Sequence, residues 1–209
     1  IDLSVSGRPG PVVCVVSTQI LDGDTGEPDI PKPAAPVRIG ADRNAVADAA
    51  KLIEASKHPI ILAGELIAAE NAGAELQQLA DATGAGVLTA YRQQDVIDNL
   101  HPAHFGQLTL NRLPYQNEAL EECDLIISIG SRLDSATTAN YTMFRDDQKM
   151  IMVYPDASEF APWQVDVAIG AQAGPAMESL AEALEGIDPP ADRIAWRDKV
   201  HAEIGRAHV

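Results

Sequence analysis

LIISIGSRLDSATTANY, residues 125–141, is the stretch whose reading decides the fold. Residues 125–129 are apolar apart from Ser128, and Gly130 ends the run. Ser131, Arg132, Asp134 and Ser135 then turn the chain polar at once. A short apolar run closed by glycine reads as a strand buried on both faces, the kind found in parallel sheets. Ligands of open parallel sheets sit outside the carboxyl ends of the strands. The segment after Ile129 is therefore the first place to look for a site, although a polar strand-to-helix loop that merely solvates itself would read the same way.

Working outward, the signals alternate. Asp42 is placed to cap a helix carrying Val46, Ala49, Leu52 and Ile53 on one face, ending before His58-Pro59. Residues 60–63 read as a buried strand closed by Gly64, residues 67–83 as a helix and residues 86–89 as a short strand. Residues 91–113 read as a long irregular polar segment. Pro114 opens a helix to Glu122. After the central strand comes a second long polar segment, 131–147, then strands at 150–154 and 165–169. Residues 175–185 form a helix backed by Gly186, and 191–204 a last helix with two charged faces. This alternation predicts an α/β fold: a doubly wound, mainly parallel Rossmann-like sheet with helices on both faces.

The ends read differently. Val12–Val16, in VVCVV, is a β-branched run expected to form a buried strand, but a lone strand needs neighbours. Either it joins the sheet that follows or its partners lie elsewhere. Residues 23–40 hold four prolines, three glycines and three acids, a linker composition that marks a domain boundary.

The totals exclude several classes. The 209 residues carry 31 Asp and Glu against 15 Lys and Arg, a formal net charge of −16. Nucleic acid and anionic membrane surfaces both select a basic face, so neither is an expected partner. Cys14 and Cys123 are far apart and form no CxxC, which points to free thiols in a cytoplasmic protein rather than a zinc site. His101 and His104 lie three apart in a loop without further ligands, and a packed loop accounts for them better than a metal. No nucleophile sits in a recognisable catalytic setting, and no P-loop occurs. The turn Ala63-Gly64-Glu65 has one glycine where a dinucleotide fingerprint has three, and Glu65 would repel a phosphate. Read from its residues alone, the chain is an α/β domain without its own catalytic centre.

Five segments, in order, resemble the central domain of thiamine-diphosphate-dependent enzymes of the acetolactate synthase type. They are SGRPGPVVCVVSTQIL (6–21), KHPIILAGELIAAENAGAELQQLADATGAGVLTA (57–90), DNLHPAHFGQL (98–108), CDLIISIGSRLDSATT (123–138) and MIMVYPDASE (150–159). The resemblance implies that residues 1–22 are the end of a pyrimidine-binding domain and 23–40 a Pro-rich linker. Residues 41–187 would be the central Rossmann-like domain, and 188–209 the helical start of a linker to a pyrophosphate-binding domain. It implies a full-length enzyme, a lyase or transferase, that decarboxylates or condenses 2-oxo acids with thiamine diphosphate and Mg2+ as a cytoplasmic homodimer or homotetramer. The family's activating glutamate and metal motif lie in the flanking domains, so no catalytic residue and no metal ligand is expected in this chain. In some members the central domain holds FAD or an ADP-containing group, and the positions that would touch it correspond to Gly64, Arg132 and Asp156. The AGE turn and the absence of the family's Met-His-Gly flavin contact after His101-Pro102 disfavour FAD. The alternative is an independent nucleotide-binding module of FAD or ADP type.

Overall fold

The computed structural model describes residues 4, 9–24, 26 and 37–205. It divides into two units, residues 1–38 and 39–209. In the first, the described residues include one helical turn, Thr18–Leu21. Val12–Val16, expected as a buried strand, forms none there, and Val12, Val13, Val15 and Val16 are exposed. Alternating β-branched residues do not make a strand without a neighbour to complete the backbone ladder.

The second unit is built on a six-stranded, all-parallel sheet. Its strands are β1 (Pro59–Ala63), β2 (Gly86–Thr89), β3 (His104–Gln107), β4 (Leu125–Ile129), β5 (Lys149–Val153) and β6 (Val167–Ile169), in the order β3-β2-β1-β4-β5-β6. β1 and β4 lie side by side at the centre, Pro59 opposite Leu125 and Ala63 opposite Ile129. The chain first winds outward from β1 through β2 to β3. It then returns to β4 and winds outward on the other side. The strand order thus reverses between β1 and β4.

The pleat sends alternate residues to two cores. Ile61, Ala63, Ile127, Ile129, Ile151 and Val153 pack on one face. There they meet α1 (Arg43–Ala55), α2 (Glu65–Glu70), α3 (Gly73–Thr83) and α5 (Ala173–Ala183). Ile60, Leu62, Ile126, Met150 and Met152 face the other way. They meet α4 (Pro114–Glu122) and α6 (Ala191–His201). The doubly wound, parallel fold expected from the alternation is the one observed.

Three local differences have identifiable causes. The helix expected over 67–83 is two helices, because Asn71 adopts a left-handed conformation (φ 55°) and caps α2. Residues 91–113 contain β3, a four-residue strand with histidine and glycine in it. The last helix does not carry two charged faces to solvent. Its Arg193, Trp196, Arg197 and Val200 are all buried.

Arg193 explains how a charged side chain enters that position. Its guanidinium donates to the carbonyls of Thr83, Ile53, Glu54 and Ser56, at the C-terminal ends of α1 and α3. Carbonyls in the last turn of a helix are short of partners within it and carry the negative end of the helix dipole; of these four, Ile53 O also accepts from Ser56 N at 3.3 Å. One cation thereby satisfies the ends of two helices and holds α6 against them. Trp196 adds a stacked contact with His58, ring centroids 4.6 Å apart, and an edge contact with Phe105. Asp124, just before β4, accepts from Ser56 Oγ and from the backbone amides of Lys57 and His58.

Two stability consequences follow from these contacts. Arg193→Ala removes the donor shared by four carbonyls and is expected to cost about 3 kcal/mol in urea denaturation. Burial opposes ionisation of Asp124, but those three hydrogen bonds outweigh it and hold its pKa below 3.8. Its contribution is therefore present above that value and is lost as pH falls through the lower folded-state pKa. Asp124→Asn should remove that part of the acid limb of a stability-versus-pH curve.

Candidate active-site crevice at the strand reversal

The reversal between β1 and β4 opens a crevice at their carboxyl ends, the expected ligand position in a doubly wound sheet. The turn after β1 is Ala63-Gly64-Glu65, and the turn after β4 is Ile129-Gly130-Ser131-Arg132. They are bound to each other. Gly64 N donates to Ile129 O at 2.9 Å and Leu66 N to Gly130 O at 3.1 Å, while Gly130 N donates to Val153 O at 2.9 Å. A Cβ on Gly64 would collide with Gly130 O and the backbone of Ser131. Gly64 has an ordinary extended conformation, φ −105° and ψ −172°. Its glycine is needed for space, and the space is filled by the neighbouring turn. Gly130 needs glycine twice over, with φ +62° and Leu66 Cβ 2.8 Å from any added Cβ.

Of the residues singled out from sequence, Gly64 and Arg132 come together here. Arg132 Nε donates to Glu65 Oε1 at 3.0 Å, and Tyr154 OH approaches the same oxygen at 3.5 Å. Burial by itself would lower the Arg132 pKa, but the Glu65 carboxylate beside it reverses the sign and holds it above the usual guanidinium value. Asp156 follows β5 and caps the single turn Ala157–Glu159, accepting from Ser158 N and Ser158 Oγ.

Several contributors were not singled out. Tyr91 and Arg92 follow β2, and Tyr91 N donates to Thr137 Oγ1 at 3.3 Å, linking the loops after β2 and β4. Asp134 accepts from Thr137 N at 2.8 Å and organises its own loop. Together these loops enclose a cleft of about 370 Å3 lined by Glu65, Tyr91, Arg92, Gln93, Ser131, Arg132, Asp134 and Thr137. Both long polar segments follow parallel strands and so leave the sheet at the same end, and the strand order sets β2 and β4 on either side of β1. A larger hollow, about 490 Å3, lies at the opposite end of the sheet among Asp81, Glu182, Glu185 and Asp188. It is lined by carboxylates without a cation.

The crevice does not fit a pyrophosphate in the manner of a dinucleotide-binding turn. The Gly64 and Leu66 amides are used by the carbonyls of Ile129 and Gly130, and Glu65 places a carboxylate at the mouth. Among the described residues, no group of three or more His, Cys, Asp or Glu side chains is arranged to hold a metal ion. His101 Nε2 lies 3.5 Å from Asp81 Oδ1, while His104 opens β3, is buried, and accepts at its backbone carbonyl from His201 Nδ1 at 2.9 Å. No helix among the described residues is long and apolar enough to cross a membrane.

Two substitutions separate shape from charge in the crevice. Gly64→Ala is expected to cost about 3 kcal/mol, because backbone rather than a flexible side chain must move. Glu65→Gln should change stability by less than about 1 kcal/mol. The Arg132 and Glu65 side chains are 43% and 33% exposed, and solvent screens such pairs. Urea denaturation of both variants checks the contrast.

Comparison with known proteins agrees with this architecture. Residues 46–180 match the family model described as "Thiamine pyrophosphate enzyme, central domain". The acetolactate synthase large subunit of Corynebacterium glutamicum is 31% identical over 188 residues, covering 88% of this chain and 29% of that protein. The large subunit of acetolactate synthase isozyme 1 of Escherichia coli is 29% identical over 189 residues, covering 88% of this chain and 33% of that protein. The crystal structure of benzoylformate decarboxylase from Polynucleobacter necessarius superposes with a TM-score of 0.63 over 81% of this chain and 32% of that one, at 20% identity, a likeness of fold. This chain thus spans about a third of the length of these relatives. On the family match and the parallel sheet that underlies it, the chain belongs to the thiamine pyrophosphate enzyme family, as a central domain of acetolactate-synthase-like type.

Proposed function

We propose that the chain is the middle third of a thiamine-diphosphate-dependent enzyme that decarboxylates or condenses 2-oxo acids, and that it serves there as scaffold and domain interface. The observation that carries this is the family match over residues 46–180, with relatives roughly three times the length of this chain. In this reading residues 1–22 close a pyrimidine-binding domain and 23–40 link it to the central domain, 41–187. Residues 188–209 lead toward a pyrophosphate-binding domain. Thiamine diphosphate would supply the carbanion chemistry, anchored with Mg2+ by the flanking domains. The loops 91–113 and 131–147 would face those domains. The parent enzyme would be a cytoplasmic homodimer or homotetramer, since active sites of this family form between subunits.

The rival is an independent nucleotide-binding module, with Gly64, Arg132 and Asp156 as the contacts for FAD or an ADP group. The doubly wound order favours it in general terms. Three specifics weigh against it: the amides engaged between the two turns, the close approach that Gly64 exists to permit, and the carboxylate of Glu65.

The size of the native polypeptide tests the choice. An immunoblot raised against this domain should detect a band of several hundred residues in extract of the source cells. The purified parent should release carbon dioxide from a 2-oxo acid only with thiamine diphosphate and Mg2+. A band at the size of 209 residues, with FAD or ADP bound at Gly64 and Arg132, would establish the rival instead.

A further inference from the structure

We propose that the contact between the edge strand β3 and the end of α6 is an acid-released latch, with His104 as its trigger and His201 as the group it works against. The proposal stands on this contact alone and does not depend on the reaction assigned to the parent enzyme.

β3 is short, lies at the margin of the sheet and pairs with β2 alone, with a register shift between Val87 and Thr89. A strand so placed draws much of its stability from what packs on it. α6 reaches it at His201, whose Nδ1 donates to the His104 carbonyl at 2.9 Å. The His104 side chain has a second, separate peculiarity. The residue is 8% exposed, and its ring is bonded to the backbone of Asn99. Its Nδ1 is buried with no hydrogen-bond partner among the described residues. Nε2 therefore carries the proton that Asn99 accepts, and Nδ1 is a bare lone pair. A second proton has only Nδ1 to go to, and there it would be a buried donor with no acceptor.

The surrounding charges do not rescue that proton. Burial is the largest influence on the His104 ring and moves its pKa below the ordinary 6.5, and His201 on α6 lowers it further. The Asn99 carbonyl and Asp98, both on the preceding loop, act in the opposite sense and do not outweigh them. The other neighbours are neutral or engaged: β2 sets Val87 opposite His104, and His101 lies 3.5 Å from Asp81 of α3. A ring held neutral in the closed contact takes up its proton near 6.5 once the contact opens. The contact is thus at full strength above that pH and weakens as pH falls through 6.5 toward the lower value of the closed state. Asp124 acts only below 3.8, outside this window. His58, stacked on Trp196, is a further imidazole against α6, and lies away from β3.

The test is amide hydrogen exchange of this chain by NMR at about pH 7.5 and about pH 5, corrected for the intrinsic exchange rate. Protection at residues 104–108 and 198–204 should fall at least about threefold more than protection in α1, which serves as the internal standard. His104→Gln offers an amide donor where Nε2 stood and takes up no second proton, so the excess loss should vanish. His58→Gln should keep it. Each variant is compared with itself at the two pH values, so a uniform loss of stability does not disguise the result. Should His104→Gln not fold, the wild-type ring resonances decide: His104 should titrate below 6.5, and the amide shifts of residues 198–204 should follow with the same midpoint. Parallel loss in α1, an excess that survives His104→Gln or disappears in His58→Gln, or a His104 midpoint at or above 6.5 would each overturn the proposal.

Discussion

The structure depends on two turns meeting backbone to backbone at the middle of the sheet. Parallel strands twist and splay unless something fixes the central pair, and here it is fixed by the fit of Gly64 against Gly130 and Ser131. The amides of Gly64 and Leu66 extend the β1–β4 ladder past the strand ends, and Gly130 N does the same toward β5. With three strands pinned at their carboxyl ends, the helices that follow start from defined positions. Leu66 is drawn under Gly130, where any Cβ would crowd it. The same approach uses the donors that a nucleotide-binding turn would present outward. Packing and ligand binding compete for one pair of amides, and in this chain packing has them.

The other helix starts at this edge tell a similar story. The amides of Ala173 and Gly174, at the beginning of α5, donate to the Glu70 carboxylate at 3.2 and 2.9 Å. An exposed helix N-terminus is a ready anion site, and Glu70 fills this one from the end of α2. The Glu65 carboxylate, at the start of α2, is held by Arg132. The fold provides positions that favour negative charge and the chain satisfies them with its own glutamates.

Much of this was legible in the sequence, and the failures are physical rather than accidental. Apolar runs ended by Gly64 and Gly130 read as buried parallel strands because such strands cannot alternate. β3 was hidden because His104-Phe105-Gly106-Gln107 has little β-propensity of its own, and Gly106 sits at φ +87°. Its place is set by pairing with β2. Val12–Val16 failed in the opposite sense: strong propensity, and no ladder among the described residues. In the crevice, Gly64 and Arg132 were identified by position in the pattern, but their partner Glu65 was read only as an obstacle to phosphate. Tyr91 and Arg92 were invisible because the juxtaposition of two loops 40 residues apart is a property of strand order, not of either loop.

The same lesson applies to charge, which sequence periodicity treats as a mark of the surface. Arg193 is among the most buried side chains of α6, at 3% exposure, because helix C-termini offer it carbonyls that need a donor. Arg145 plays an equivalent part at the end of α4, donating to the carbonyls of Leu120, Glu121 and Cys123, with Gln148 reinforcing two of them. In both cases the cation stabilises a helix end that no capping glycine closes: α1 ends at Ser56 and α4 at Cys123, both in extended conformation. Where a chain leaves a helix directly into a central strand, there is no room for a left-handed cap. A long side chain arriving from elsewhere then does what a local turn would have done. Such a contact ties distant segments, 137 residues apart for Arg193 and Ser56, and so makes the position of α6 a condition of the ends of α1 and α3 being satisfied.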